Sequence, residues 1–467
     1  MRTILPCVVL ALAIPVLAQH DPCQVHRFAP EPGYGWGFVT QVTVSDRHLL
    51  IADHGAPTLC PGGGDPYHCA AGAVYAYSWE DDRWAFVEMI LPPDAQFNEG
   101  FGMVQLDGDR LIIVSAHHRL GGDRGVVYEY HFDAGLRRWV EVDRFGPGVV
   151  ASPEDGFGVP ALFEDHLLLK HGDRVHLYHD GDEGWELQQV IEPPDYATSQ
   201  FGVAIKLHRD WAVLSDTADS SLADRHGSTH VYRRRPDGTL EYAQRLLPPD
   251  LSIEPTPRAI NFGRGMDFDG RTLAIGCMGA DREYENQGVV YLYELEEGQW
   301  VLQGEITHTT PAKPVGLGFG IELAIDGDRM AAATLWPSHN VVIAFERNAV
   351  GEWHEVAQLT ADHASLVGRA YRLGRSLDIY GDHVVAGAPE ETVASGLIGA
   401  AYAFDFGCEA CHERVDLDAD GALTIFDFLA FLNLFQDGDA QADFDGDGEL
   451  TIFDFLAFQT AFDAGCE

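Results

Sequence analysis

The chain has 467 residues, with 73 Asp+Glu against 30 Lys+Arg and a formal net charge of −43. No surplus of cations exists to displace counterions from phosphate or to hold an anionic lipid surface, which argues against a nucleic-acid or peripheral-membrane protein. At 46% hydrophobic residues the chain is too apolar to be disordered, and 50 Gly with 24 Pro fit a turn-rich β protein.

The first predicted element is a leader. Arg2 precedes an apolar run from Ile4 to Leu17, and Val16 and Ala18 stand at the −3 and −1 positions of a cleavage site. This reads as a secretory signal peptide cleaved after Ala18, the run being short for a membrane span. Export permits disulfides. Seven cysteines would remain: Cys23, Cys60, Cys69, Cys277, Cys408, Cys411 and Cys466. Cys60 and Cys69 bracket a Gly-rich segment and are expected to staple it, while Cys277 reads as the odd, buried one.

Next comes internal repetition. A phrase of F-G, alternating residues, a tight Asp/Gly turn and an apolar strand recurs, anchored at Phe38, Phe101, Phe157, Phe201, Phe262, Phe319 and Leu373. From 38 to 373 is 335 residues over six steps, a mean pitch of about 56. A second phrase follows each first one after a variable loop, as in GAVYAYSWEDDRWAFVEMI and GVVYLYELEEGQWVLQGEI. Aromatic and β-branched residues alternate around an acidic turn, the pattern of a β-hairpin. Each unit therefore holds four short antiparallel strands, and one such sheet cannot bury both faces alone. Radial packing of seven sheets into an all-β, seven-bladed β-propeller over residues 19–407 is the expected solution. The seventh unit has three strands and stops near Phe406. QVHRFAPEP at the N-terminus supplies the fourth, so an N-terminal strand is expected to close the ring and remove its free edges. That closure brings Cys23 toward Cys408, a predicted disulfide.

These units resemble FG-GAP repeats, the propeller repeats of integrin α-subunits and many exported bacterial proteins, over residues 24–406. The F-G dipeptides are well kept; the G-A-P element survives in Gly55-Ala56-Pro57 and Gly387-Ala388-Pro389. The D-x-D-x-D-G-x-x-D calcium loop of integrin-type blades is missing, and the acidic residues of turns such as LDGDRL and IDGDRM read as turn formers.

Residues 408–467 form a separate predicted module. From Glu409 to Glu467 there are 15 Asp+Glu and one Arg. Two near-identical phrases, DLDADGALTIFDFLAFLNLF and DFDGDGELTIFDFLAFQTAF, lie 27 residues apart. Each fits an EF-hand-like loop followed by a helix. Asp416, Asp418 and Asp420 in the first, and Asp443, Asp445 and Asp447 in the second, fall at ligand positions 1, 3 and 5, before the turn residues Gly421 and Gly448. Ala422 and Glu449 offer the position-7 carbonyl, Thr424 and Thr451 position 9, and Asp427 and Asp454 position 12. Carboxylates so close repel one another without a cation, and Ca2+ takes 6–8 oxygen ligands, so about two calcium ions are expected. Asp at position 12 and two loop–helix units in tandem resemble dockerin type I repeats, which implies docking onto a cohesin-type protein partner or scaffold. Ile425-Phe426 and Ile452-Phe453 occupy positions 10 and 11, where that family often has polar contacts. The helices are apolar on almost every side, beyond what one packed face needs, which leaves side chains to pack on the propeller itself or on a partner protein. Cys411 and Cys466 bracket the module and are expected to clasp it.

The variable loops carry Asp53-His54, His117-His118, Asp216 with Asp219, Asp281 with Glu283, and Glu390-Glu391. No pair repeats with ligand spacing and no nucleophile motif such as G-x-S-x-G is present, so solvated loop residues are the plainer reading. The expectation is an exported, non-enzymatic calcium-binding adhesion or binding protein with a glycan or protein ligand on its loops. The alternatives are a secreted polysaccharide hydrolase or lyase with an attachment tail, and a structural surface protein.

Overall fold

The structure, a computed structural model, describes residues 23–29, 38–56, 71–80, 83–94, 100–120, 123–146, 157–222, 225–249, 261–283, 285–308, 318–334, 341–360, 372–393, 396–397, 399–406, 415, 417, 425–437, 442, 444 and 450–464. The leader and Cys60, Cys69, Cys408, Cys411 and Cys466 lie outside these, so the predicted cleavage and disulfides lie outside the described residues too.

Seven four-stranded antiparallel sheets form a β-propeller. Blades I to VI are strand runs in simple chain order, 38–90, 101–145, 157–191, 201–246, 262–306 and 323–360. Blade VII takes three strands from 377–405 and its outermost from Cys23–Phe28, which pairs antiparallel with Ala400–Asp405. The innermost strand of each blade packs on that of the next, and the seventh returns to the first. The expected closure by the N-terminal strand is therefore the observed one.

Local sequence explains why the units join. After the anchor aromatic, the innermost strand bulges in blades I to V. Except at Gly158 in blade III, the residue following the anchor takes a positive φ where glycine is cheapest, as at Gly202 (71°), and Val39 occupies it at 69° in blade I. The bulge turns the aromatic sideways into the gap between blades. At four of the joints, those of Phe101, Phe157, Phe262 and Phe319, the anchor backbone meets the glycine that opens the third strand of the preceding blade. Phe319 N–H donates to Gln287 O at 3.0 Å, and Phe262 N–H to His226 O at 3.2 Å. A Cβ on Gly288 would lie 2.3 Å from Phe319 N, so the two repeated phrases are two halves of one joint.

The core follows the same logic. Each of the seven gaps between neighbouring blades holds one buried apolar cluster. The alternation of each strand sends side chains to both faces, and each face is covered by a neighbouring blade. Acidic turns fasten the outside. Asp109 takes Arg47 at 3.0 Å across blades I and II, and Arg110 takes Asp180 at 2.5 Å across II and III. Asp269 accepts the backbone N–H groups of Arg271 and Thr272, shaping its own turn as the sequence suggests.

The seam of blade VII carries a buried charge cluster. Arg27 of the N-terminal strand donates from Nε to Glu391 Oε1 at 3.0 Å, and Tyr402 Oη donates to the other oxygen. Glu391 is fully buried. Blade IV repeats the device with Arg245 and the buried Asp219, and blade V inverts it, with Arg282 on the loop and Glu305 on the outer strand 2.6 Å apart.

Beyond the ring, α1 (Ile425–Asp437) and α2 (Ile452–Ala464) lie where the two apolar runs were read as helices. Phe431 and Phe458 stack at 4.2 Å and 6°, and Phe428 meets Phe455, Phe458 and Phe462. These phenylalanines thus go to the sister helix, while Leu429, Leu432 and Leu456 stay exposed.

Candidate functional sites: loops, channel and C-terminal module

Most of the predicted loop residues serve the scaffold. Asp53 is buried, accepts the Gly55 N–H at 2.9 Å, and is pushed up to about 6 by burial. Asp216 accepts the Thr198 N–H at 2.7 Å and its hydroxyl. Asp219 is fully enclosed. Burial alone would raise it, but hydrogen bonds from Ser228, Ser221 and Arg245 outweigh that and hold it down at about 2. Asp281 accepts the Asn286 N–H at 2.6 Å, and Glu390 pairs with Arg372 at 3.1 Å. His118 is buried 3.4 Å from Asp94 while His117 is exposed. These groups sit on different blades, each tied to its own loop, and among the described residues they do not converge on one reacting centre.

The central channel does gather charge. Its wall comes from the innermost strands of all seven blades and encloses about 380 Å³, within the roughly 300–1,000 Å³ usual for small-molecule sites. One ring of side chains lies two or three residues after the anchors: Met103, Val159 and Val203 on one arc, then Arg264, Glu322 and Arg375 on blades V, VI and VII. A second ring, five residues after the anchors, carries Lys206, Asp267 and Asp378.

The acids of this second ring stitch blades together. Asp267 accepts the Ile325 N–H at 2.9 Å and pairs with Lys206 at 2.8 Å, and Asp378 accepts the Val44 N–H at 2.8 Å. Burial pushes Asp378 up to about 6, against the pull of Lys206 and these hydrogen bonds. Lys206 is held above its usual value: burial lowers it, and Asp267, Asp378 and Glu322 more than compensate. Glu322 pairs with Arg375 at 3.4 Å. Burial drives it up to about 7 even though Arg264, Arg375 and Lys206 all face it. The Arg264 guanidinium has no hydrogen-bonding partner among the described residues.

Sequence reading missed the channel. The signal was available in the repeat alignment, at the residue two places after six of the anchors, which is Thr40, Met103, Val159, Val203, Arg264 and Arg375, and three places after Phe319, which is Glu322. Comparing repeats for what they share hides the positions where they differ.

A second group was also missed, on the turn side of blades III and IV. Asp165 joins His166 Nδ1 at 2.6 Å and His179 Nε2 at 3.2 Å. Their ligand-capable atoms lie within 4.8 Å of one another. Arg234 stands 3.1 Å from the same His166 nitrogen, and that fixed positive charge opposes a cation there.

In the C-terminal module, Asp416, Asp418, Asp420, Ala422, Thr424, Asp443, Asp445, Asp447 and Glu449 lie outside the described residues. Asp427, Thr451 and Asp454 are described. Asp427 and Asp454 are completely buried at the starts of α1 and α2. Asp454 Oδ2 accepts the Thr451 N–H at 2.6 Å and Oδ1 accepts the Phe444 N–H at 2.9 Å. The first contact is the back-bond of a capping box. The second ties the end of the loop to its beginning. Both carboxylate oxygens are thus engaged with the loop backbone, and a carboxylate at this position is a hard oxygen donor of the kind Ca2+ takes.

No protein-family model matches the chain, and no curated protein matches it. Solved structures do. A crystal structure of a protein from Lactobacillus plantarum is similar at 13% identity and a TM-score of 0.47, over 76% of this chain and 99% of that one. The β-propeller domain of the Trilobed protease from Pyrococcus furiosus, described as having an open velcro topology, is similar at 13% identity and a TM-score of 0.44, over 79% and 96%. Hsv2p from Kluyveromyces lactis is similar at 11% identity and a TM-score of 0.43, over 75% and 89%. No helix of the described residues is long and apolar enough to cross a membrane.

Proposed function

We propose that this is an exported calcium-binding adhesion or binding protein. Its FG-GAP-like propeller presents a ligand-binding ring, and its dockerin-like tail attaches that ring to a protein partner or scaffold. The observation that carries the reading is the pair of wholly buried aspartates at position 12, with Asp454 folded back on both ends of its loop. The repeated Asp clusters set several like charges close together, which a bound cation makes tolerable. Calcium would be held by Asp416, Asp418, Asp420, Ala422, Thr424 and Asp427 in the first loop. The second set is Asp443, Asp445, Asp447, Glu449, Thr451 and Asp454. Bound there, the ion neutralises the clustered acids and fixes each loop against its helix. The apolar side chains left exposed on the helices, Leu429, Leu432 and Leu456, are the attachment surface in this reading.

Calorimetric titration of the whole chain with calcium tests it. About two ions should bind, with a gain in helical signal. No binding heat, with no change in helicity, removes the calcium reading and the attachment role with it.

A further inference from the structure

The channel charges run against the rest of the molecule. In a chain of net charge −43, three adjacent blades place two arginines and one glutamate around a single opening. Glu322 is engaged with Arg375, which leaves the Arg264 guanidinium facing the channel with no hydrogen-bonding partner among the described residues. A guanidinium presents a planar fork of donors that matches a carboxylate in bidentate fashion. The opposite arc is apolar, with Met103, Val159 and Val203 at the same depth after their anchors. One side of the cavity therefore suits a charged head and the other an apolar body.

We propose that the channel binds a small organic carboxylate, clamped between Arg264 and Arg375 with its body against Met103, Val159 and Val203. Glu322 is the internal competitor. It occupies the clamp when no ligand is present and yields Arg375 when the ligand's carboxylate enters. This deepens the reading of the propeller as a binding ring, on which it rests; the calcium module plays no part in it. Lys206, Asp267 and Asp378 sit three places further along their strands and are engaged in holding blades together, so they are not part of the clamp.

The test is calorimetric titration of the full chain with benzoate and with galacturonate, each against its uncharged counterpart, benzyl alcohol and galactose, and against inorganic sulfate. At least one carboxylate should bind, and its neutral counterpart should bind at least tenfold more weakly. The preferred acid tells an aromatic ligand from a sugar acid. Arg264→Gln should weaken binding about tenfold or more, the scale of a lost charged hydrogen bond. Glu322→Gln should tighten it several-fold, a gain that misfolding cannot mimic. Binding should be unchanged by a calcium chelator, which separates this outcome from that of the tail. Absence of binding by either acid, equal affinity for sulfate, or an Arg264→Gln protein that binds like the wild type overturns the proposal.

Discussion

The Arg27–Glu391–Tyr402 cluster should decide whether the ring stays closed. Glu391 is fully enclosed, and Arg27, 18% exposed, is its only cationic partner among the described residues. Arg27→Met keeps the aliphatic stem and removes the charge. A carboxylate is then left in the seam with only the Tyr402 hydroxyl to hold it. Breaking a buried pair on one side costs about 3–5 kcal/mol. Spread over a domain of this size, at roughly 2 °C or less per kcal/mol, that is a fall in midpoint of several degrees. The double variant Arg27→Met/Glu391→Gln removes the stranded charge and should recover more than half of the loss. Denaturant unfolding, with hydrogen exchange read along 23–28, measures the loss and its recovery. A single variant within 0.5 kcal/mol of the wild type, or a double variant no better than the single, refutes the claim that this pair latches the ring.

Three further outcomes follow from the same structure. Gly288→Ala should destabilise by more than about 2 kcal/mol, because φ is +87° and the new Cβ would meet Phe319 N at 2.3 Å. Gly304→Ala, with nothing within 4 Å, should stay within about 0.5 kcal/mol of the wild type by urea unfolding. Glu322 is raised by burial to about 7 from 4.5, so its contribution is present below about 4.5 and is lost as pH climbs through about 7. Relative to Glu322→Gln, the wild type should therefore lose about 1–3 kcal/mol between pH 5 and 8, the lower figure reflecting water in the channel; a flat difference between the two curves sinks the assignment. Asp427→Ala and Asp454→Ala should each abolish binding of about one calcium ion by calorimetric titration, leaving the propeller's unfolding midpoint unchanged; unaltered stoichiometry in both would contradict the ligand assignment.

The blade count, the four strands per unit and the closure by an N-terminal strand were readable because repetition writes local structure into local spacing. F-G, the acidic turn and the Gly-x-V-Y phrase each act within a few residues. The helices at 425–437 and 452–464 were readable for the same reason. Their neighbours were not: the run was apolar nearly all round, and only the packed pair sends Phe431 and Phe458 inward while Leu429 and Leu456 remain outside. Adjacent loop carboxylates looked like candidates for chemistry because sequence puts Glu390 beside Glu391. The fold separates them, one toward Arg372 on the surface and the other into the seam with Arg27, 364 residues away in the chain. The channel was hidden most deeply. Arg264 and Arg375 each follow the glycine after their anchor, but nothing local marks them, or Glu322, as lining one cavity. They meet because the innermost strands of successive blades pack side by side around one axis, a property of how seven sheets close and not of any one of them.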